Sequence, residues 1–228
     1  MEEKIYTIPV NEAFDKKCGC PFCTLFAELE NAELDSILGA AMMEPDTRIE
    51  TNKKGFCRKH FSRMFNMKNR LGLGLMLESH LEEIAKKVSA KPALLVKDSG
   101  LRAADFADSL TSSCYVCDKI EEKLGKMFKT AVFLWEKDKV FREKLSEQPY
   151  FCLPHYSVLL RTASGEIPKK LYGDFLKQVS EVETKYLESL SGDVSWFCKK
   201  FDYRYDSEPW GNSKDAVERA IAFLSGKD

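Results

Sequence analysis

The chain has 228 residues, of which 44% are hydrophobic, so it can bury a core in one large domain or in two small ones. Its 35 basic and 36 acidic residues nearly balance, which argues against a general polyanion binder and against an acidic disordered tail. No apolar run approaches the ~20 residues of a membrane helix, and the N-terminus lacks the apolar stretch of a signal peptide. We therefore expect a cytoplasmic protein without a membrane segment.

The spacing of apolar residues predicts an all-α fold. Leucine, isoleucine, phenylalanine and methionine recur at steps of three and four over most of the chain. Glu44 to Asp46 and Pro92 mark breaks, and only Lys4 to Pro9 suggests a strand. The stretch from Trp196 to Trp210 is rich in aromatic residues and too irregular for one helix. The predicted helices cover, in chain order, 22–38, 61–71, 75–88, 101–110, 120–134, 156–160, 169–190 and 213–224.

Six of the eight cysteines fall into a repeated pattern. The first copy has Cys20 and Cys23 in a CxxC motif, followed by a CxxH motif at Cys57 and His60. The second copy has the same two motifs in the same order. Its CxxC follows at an offset of 94 residues and its CxxH at an offset of 95. Self-similarity at a fixed spacing is typical of a duplicated structural unit, so we expect a duplicated helical unit.

Cysteine and histidine at this spacing indicate metal binding. Disulfides are rare in reducing compartments, and a CxxC motif together with a CxxH motif supplies four ligands that suit tetrahedral Zn²⁺. Because each motif precedes a predicted helix, each metal would hold two helix N-termini, where negative charge is favoured. We expect one Zn²⁺ per repeat, two in all. The expected quartets are Cys20, Cys23, Cys57 and His60 in the first repeat, and Cys114, Cys117, Cys152 and His155 in the second.

The repeats also suggest a division of the chain. The first metal-binding helical repeat would cover residues 1–97 and the second residues 98–192. The aromatic-rich C-terminal extension, residues 193–228, would pack on both.

The order of these motifs resembles that of a bacterial family of unknown function. The order is CPxC followed by a helix, then GFCxxH, then a second CxxC and FCxxH. The KFDYR and EPWG segments, at 200–204 and 208–211, are similar to part of the same pattern. The resemblance extends over nearly the whole chain and supports the eight metal ligands. It implies no established activity and no catalytic residue.

Two other kinds of metal or thiol chemistry remain open. Three cysteines and a histidine can hold an iron–sulfur cluster, although the spacing is closer to that of zinc ligands. A dithiol redox centre is the other alternative, but the βαβ setting of such centres is missing. Cys18 extends the first motif to CxCPxC and has Ser112 as its equivalent, so we interpret it as a bystander thiol. Cys198, which lies among aromatic residues, is expected in the core.

The segment from Thr51 to Leu77 carries seven basic residues and no acidic one. Lys59, Arg63 and Arg70 could line one helix face and contact a phosphate or a nucleic acid. The second repeat has no such run, so a solvated face that offsets a negative metal site is the preferred interpretation.

These patterns favour a zinc-binding helical protein that is not an enzyme. Closed four-ligand sites are typical of structural zinc, because a catalytic zinc keeps an open position. The expected role is an interaction or scaffold protein whose partner is another protein. An iron–sulfur or thiol-redox protein and a weak nucleic-acid binder are the alternatives.

Overall fold

The protein is known here from a computed structural model that describes residues 5–88 and 96–226. Within these residues the chain forms α-helices and short 3-10 helices and contains no strand, which confirms the all-α fold. No described helix is both long and apolar enough to cross a membrane. The α-helices are α1 (Thr7–Asp15), α2 (Pro21–Leu38), α3 (Pro45–Lys54), α4 (Arg58–Asn66), α5 (Arg70–Val88), α6 (Val96–Ser112), α7 (Tyr115–Lys137), α8 (Lys139–Ser146), α9 (Leu153–Glu166), α10 (Lys169–Lys199) and α11 (Ala216–Ser225).

Several helix bounds differ from those expected. The strand suggested at Lys4 to Pro9 is wrong, because α1 begins at Thr7. The helix α10 runs on to Lys199, so Trp196 and Phe197 are helical. A glycine inside a helix costs only about 1 kcal/mol, and Gly192 therefore does not end α10. The predicted break near Pro92 lies outside the described residues.

Besides α1, two short helices, α3 and α8, were not predicted. Pro45 was interpreted as a helix breaker, yet it is the first residue of α3. Proline is tolerated there because its missing N–H would have no partner in the first turn. The helix α8 begins after Asp138, whose carboxylate accepts a hydrogen bond from the backbone N–H of Val140 at 2.8 Å.

The chain divides into two compact units. Unit 1 comprises Met1–Ala27 and Lys123–Asp228, and unit 2 comprises Glu28–Glu122. The chain passes from one unit to the other within α2 and again within α7. These bounds differ from the expected repeats, 1–97 and 98–192, which stay a prediction about sequence duplication.

Unit 1 has an aromatic core. Phe22 and Phe128 stack at 3.8 Å between ring centroids, and Phe14 contacts Phe141 at 4.8 Å. These rings and Phe151 are fully buried. Removing one such ring costs about 3–5 kcal/mol, so this cluster contributes much of the stability of the unit.

Unit 2 has an aliphatic core. Leu34 and Ile37 of α2, Met64 of α4, and Leu73 and Met76 of α5 are buried within it. The apolar spacing in these helices follows the helical period, so each helix turns one face inward.

The C-terminal part of unit 1 contains a loop held by a lysine. Lys200 is only 6% exposed, and its ammonium group donates hydrogen bonds to the carbonyl oxygens of Tyr205 at 2.5 Å, Asp206 at 3.1 Å and Glu208 at 2.8 Å. Because a buried ammonium group needs all its donors satisfied, this arrangement fixes the loop.

Candidate metal centres

The structure gathers the eight cysteine and histidine residues predicted as ligands into two clusters. In each cluster the possible ligand atoms lie within 4.8 Å of one another. We call them site 1, in unit 1, and site 2, in unit 2. Site 1 consists of Cys20, Cys23, Cys152 and His155. Site 2 consists of Cys57, His60, Cys114 and Cys117.

The expected pairing within each repeat is wrong. The first CxxC motif meets the second CxxH motif in site 1, and the first CxxH motif meets the second CxxC motif in site 2. Each cluster still combines one CxxC with one CxxH, so the ligand chemistry is the one expected. The partners are exchanged between the two copies of the pattern.

Each motif lies at a helix N-terminus, as predicted. Cys57 and Cys152 are the N-cap residues of α4 and α9, and Cys20 and Cys114 directly precede α2 and α7. The second ligand of each motif occupies the third position of the same helix. One turn therefore brings both ligand atoms to the same side of the helix end. The positive end of the helix dipole stabilises negative sulfur there.

The distances in site 1 fit a single tetrahedral ion. The Nδ1 atom of His155 lies 3.1 Å from the sulfur of Cys152, 3.5 Å from that of Cys23 and 3.6 Å from that of Cys20. The sulfurs of Cys23 and Cys152 are 3.5 Å apart. A zinc ion with bonds of about 2.3 Å to sulfur and about 2.05 Å to nitrogen requires edges of about 3.8 Å between sulfurs and about 3.6 Å between sulfur and nitrogen.

Site 2 fits the same geometry. The Nδ1 atom of His60 lies 3.1 Å from the sulfur of Cys114, 3.2 Å from that of Cys57 and 3.5 Å from that of Cys117. The sulfurs of Cys57 and Cys117 are 3.9 Å apart. Both clusters therefore have the spacing of a tetrahedral Cys₃His shell, with Nδ1 as the nitrogen ligand.

The pKa values of the thiols and of the His60 imidazole also favour the binding of a cation within the clusters. Burial raises the pKa of the Cys20 thiol well above its usual range, and its neighbours Cys23 and Cys152 raise it further. Loss of hydration at the sulfur raises the pKa of Cys117 to about 12, with further increases from the nearby thiols. Burial lowers the pKa of His60, which keeps its imidazole neutral and able to bind a metal. A divalent cation would provide the positive charge that three adjacent thiolates need.

Hydrogen bonds to backbone carbonyl oxygens join the two halves of site 2. The N–H of Tyr115, the first residue of α7, donates to the carbonyl oxygen of Gly55 at 3.0 Å. The hydroxyl of Ser113 donates to the carbonyl oxygen of Lys54 at 2.7 Å. Gly55 adopts a φ of 62°, which glycine tolerates better than other residues. These contacts hold the CxxH loop against the start of α7.

Aromatic packing joins the two halves of site 1. Phe22, which lies inside the CxxC motif, stacks on Phe128 and lies 6.2 Å from Phe151, the residue before Cys152. Phe22 and Phe128 also lie 6.0 and 5.8 Å from the His155 ring, between centroids. The aromatic core of unit 1 thus carries both motifs of site 1.

Glu30 belongs to site 2, and the sequence motifs did not indicate it. Its carboxylate is fully buried, and His60 places its Nε2 atom 2.9 Å from Oε1. Because Nδ1 faces the sulfurs, Nε2 carries the proton and donates to Glu30. A carboxylate behind a histidine ligand orients the ring and raises its basicity. The sequence does offer one indication of this contact: Glu30 follows Cys23 by seven positions, which places the two residues on the same face of α2.

The basic residues beside site 2 compensate this buried carboxylate. The Nη1 atom of Arg63 forms an ion pair with Glu30, and its Nη2 atom donates to the side-chain oxygen of Asn31 at 2.6 Å. Lys59 lies 3.5 Å from Glu30. Arg70, the third predicted basic contact, lies over the ring of Phe65 at 3.6 Å.

Cys18 and Cys198 lie outside both clusters, and both are exposed. The prediction that Cys198 is a core residue is therefore wrong, although its neighbours Trp196 and Phe197 in α10 are half-buried. The helix turns the Cys198 side chain outward, which the local composition does not reveal.

The fold and the clusters define an all-helical protein with two Cys₃His sites that could bind metal ions. The family of unknown function DUF6062 matches residues 1–228, and the chain belongs to this family. Comparison with curated proteins and with solved structures found no match.

Proposed function

We propose that this chain is a zinc-binding helical protein with two structural Zn²⁺ ions and a non-enzymatic interaction or scaffold role. The observation that carries the proposal is the spacing of the ligand atoms. In both clusters the distances correspond to the edges of a tetrahedron around one ion with three sulfurs and one nitrogen.

The same spacing favours a single ion over an iron–sulfur cluster. In a [4Fe–4S] cluster each protein ligand binds a different iron atom, and in a [2Fe–2S] cluster two pairs of ligands bind different iron atoms, so some ligand atoms lie further apart than around one ion. Here all four ligand atoms of each site lie within 4.8 Å of one another. The thiolate-rich, tetrahedral set suits Zn²⁺ among the divalent ions.

A structural role follows from the completeness of the ligand set. Four protein ligands leave no open position for water or a substrate, as catalytic zinc requires. Each ion would also fix segments that are remote in sequence. In site 1 the sulfurs of Cys23 and Cys152 meet across 129 residues of chain. Since such a site forms only in the folded protein, its binding free energy stabilises the fold.

A protein partner is supported by the loop that Lys200 holds. Phe201 and Tyr203 are 75% and 84% exposed on this loop. Exposed aromatic side chains on a fixed backbone are typical of interface hot spots, because they lose little entropy on binding. A double substitution of both residues by serine should remove specific crosslinked partners from cells. Substitution of the exposed Leu71 and Leu101 provides the control, and unchanged crosslinking would count against this surface.

Nucleic-acid binding has less support. Lys59 and Arg63 form ion pairs with Glu30, and Arg70 packs on Phe65. We therefore expect any binding to DNA or RNA to be weak and to disappear as salt is raised. Tight, sequence-selective binding at physiological salt would favour this function instead.

Metal analysis of protein purified without air tests the zinc proposal. We expect about two Zn²⁺ per chain, no acid-labile sulfide and no visible absorbance. A brown protein with sulfide would favour an iron–sulfur protein. A folded protein that retains no metal would overturn the structural role.

A further inference from the structure

The two sites differ in the accessibility of their sulfurs. In site 1 all three cysteines are buried, and the contact between Cys23 and Cys152 is shielded from solvent. In site 2 Cys117 is exposed and Cys57 is half-buried, and the 3.9 Å contact between their sulfurs is open to solvent. A small reagent in solution can therefore reach a sulfur pair in site 2.

The surroundings increase this difference. The C-terminal end of α11 lies against site 1, where a Cβ atom on Gly226 would come within 3.6 Å of the Cys152 sulfur and 3.9 Å of the Cys23 sulfur. The rings of Phe22 and Phe128 cover its histidine. In site 2 the imidazole of His60 is instead backed by the carboxylate of Glu30, at 2.9 Å from Nε2.

We propose that site 2 is a reaction site for hydroperoxides, in which Cys117 is oxidised first and the zinc ion is released. Site 1 keeps its zinc under the same conditions. This inference rests on the proposed function, since it assigns different chemistry to two zinc sites. When zinc is bound, the three cysteines of the site are thiolates and remain nucleophilic, so exposure decides which one a peroxide reaches first, and Cys117 is the exposed one.

The chemistry needs only the peroxide and two cysteines. The Cys117 thiolate attacks one peroxide oxygen, the O–O bond breaks, and the leaving hydroxide takes a proton from a buffer acid in solution. This gives a sulfenic acid at Cys117. The Cys57 thiolate then attacks that sulfur and displaces a second hydroxide, which is also protonated. In total, two thiolates lose two electrons to form one disulfide, and hydrogen peroxide is reduced to two water molecules.

Zinc release follows from the loss of two ligands. The sulfurs of Cys57 and Cys117 must approach from 3.9 Å to about 2.05 Å to form the disulfide, and neither disulfide sulfur remains a thiolate ligand. Only Cys114 and His60 are left in the shell, too few for a structural site. Reduction of the disulfide restores all four ligands, so the step is reversible.

Zinc-loaded protein treated with hydrogen peroxide tests this inference. The double variant with Cys18→Ser and Cys198→Ser should be the starting protein, because it removes the two exposed thiols outside the clusters. We expect a chromogenic chelator to capture one of the two zinc ions at least about tenfold faster than the other. Mass spectrometry after alkylation should then show a disulfide between Cys57 and Cys117, while the site 1 cysteines remain reduced.

Matched variants identify the site that gives the fast phase. Cys117→Ser should lose the zinc of site 2 and the fast phase with it, whereas Cys23→Ser, at the equivalent position of the first CxxC motif, should lose the zinc of site 1 and keep the fast phase. If either variant does not fold, the mass spectrum of the starting protein decides alone. Equal release rates, or earlier oxidation of site 1, would overturn the inference and leave the zinc proposal intact. A chain that binds no zinc would overturn both.

Discussion

The exchanged pairing of the ligands makes a prediction that zinc counting can test. The structure places Cys20 and Cys152 in one site and Cys57 in the other. A double variant with Cys20→Ser and Cys152→Ser damages site 1 twice and should retain about one zinc per chain. A double variant with Cys20→Ser and Cys57→Ser damages both sites and should retain about none. Pairing within each repeat predicts the opposite result for the two variants.

The same variants should differ in stability. The apparent free energy of a structural zinc is about 10–16 kcal/mol, comparable to the whole stability of a domain. The first substitution at a site removes most of that contribution, so a second one at the same site should add little. Substitutions in different sites should add nearly in full, because they share no ligand. We therefore expect the melting temperature with Cys20→Ser and Cys152→Ser to lie close to that of either single variant.

Zinc should be counted by mass spectrometry of metals after dialysis against a chelator that removes weakly held ions. Wild-type protein substituted with cadmium-113 provides a test that needs no variant. The β-protons of Cys20, Cys23 and Cys152 should couple to one cadmium resonance. Coupling of Cys20 and Cys57 to the same resonance would refute the arrangement of sites described above.

Two further predictions concern buried carboxylates. Glu30→Gln removes the carboxylate that His60 contacts, so we expect zinc affinity at site 2 to fall about 10–100-fold while site 1 keeps its affinity. Competition with a chelator measures the zinc affinity of both sites. An equal change in the two sites would contradict this role of Glu30. Burial raises the pKa of Glu183 to about 7, against the opposing hydrogen bond from the N–H of Phe151. The folded state therefore holds a proton that the unfolded chain releases near pH 4.5, and stability falls as pH rises from 4.5 through 7. Glu183→Gln does not titrate, so its free energy of urea unfolding should rise relative to that of the wild type by up to about 3 kcal/mol between pH 4.5 and 8. A difference that stays constant with pH would show that Glu183 does not titrate in this range.

Much of the local structure was predictable because it depends on neighbouring residues. Apolar spacing identified helices such as α2, α7 and α10, since one buried face imposes the helical period. The missed helix α8 is short, and its N-cap Asp138 was the only strong signal. The helix α10 continued past Gly192 because tertiary packing along its length outweighs a small local penalty.

The sequence by itself determined which residues can be ligands. Spacing within each CxxC and CxxH motif, together with the helix that follows it, was enough to place both ligand atoms of a motif on one side of a helix N-terminus. This local geometry is the same in all four motifs. It therefore carries no information about which CxxC meets which CxxH.

Only the tertiary structure decided the pairing. Two CxxC and two CxxH motifs can combine in two ways with the same ligand chemistry, so contacts outside the motifs make the choice. In unit 1 the contact of Phe22 with Phe151 favours one partner, and in unit 2 the hydrogen bond from Tyr115 to Gly55 favours the other. The residues in these contacts are separated by 129 and 60 positions (151 − 22 and 115 − 55), and no local pattern encodes their proximity. Long-range packing therefore assigns each predicted ligand to its site.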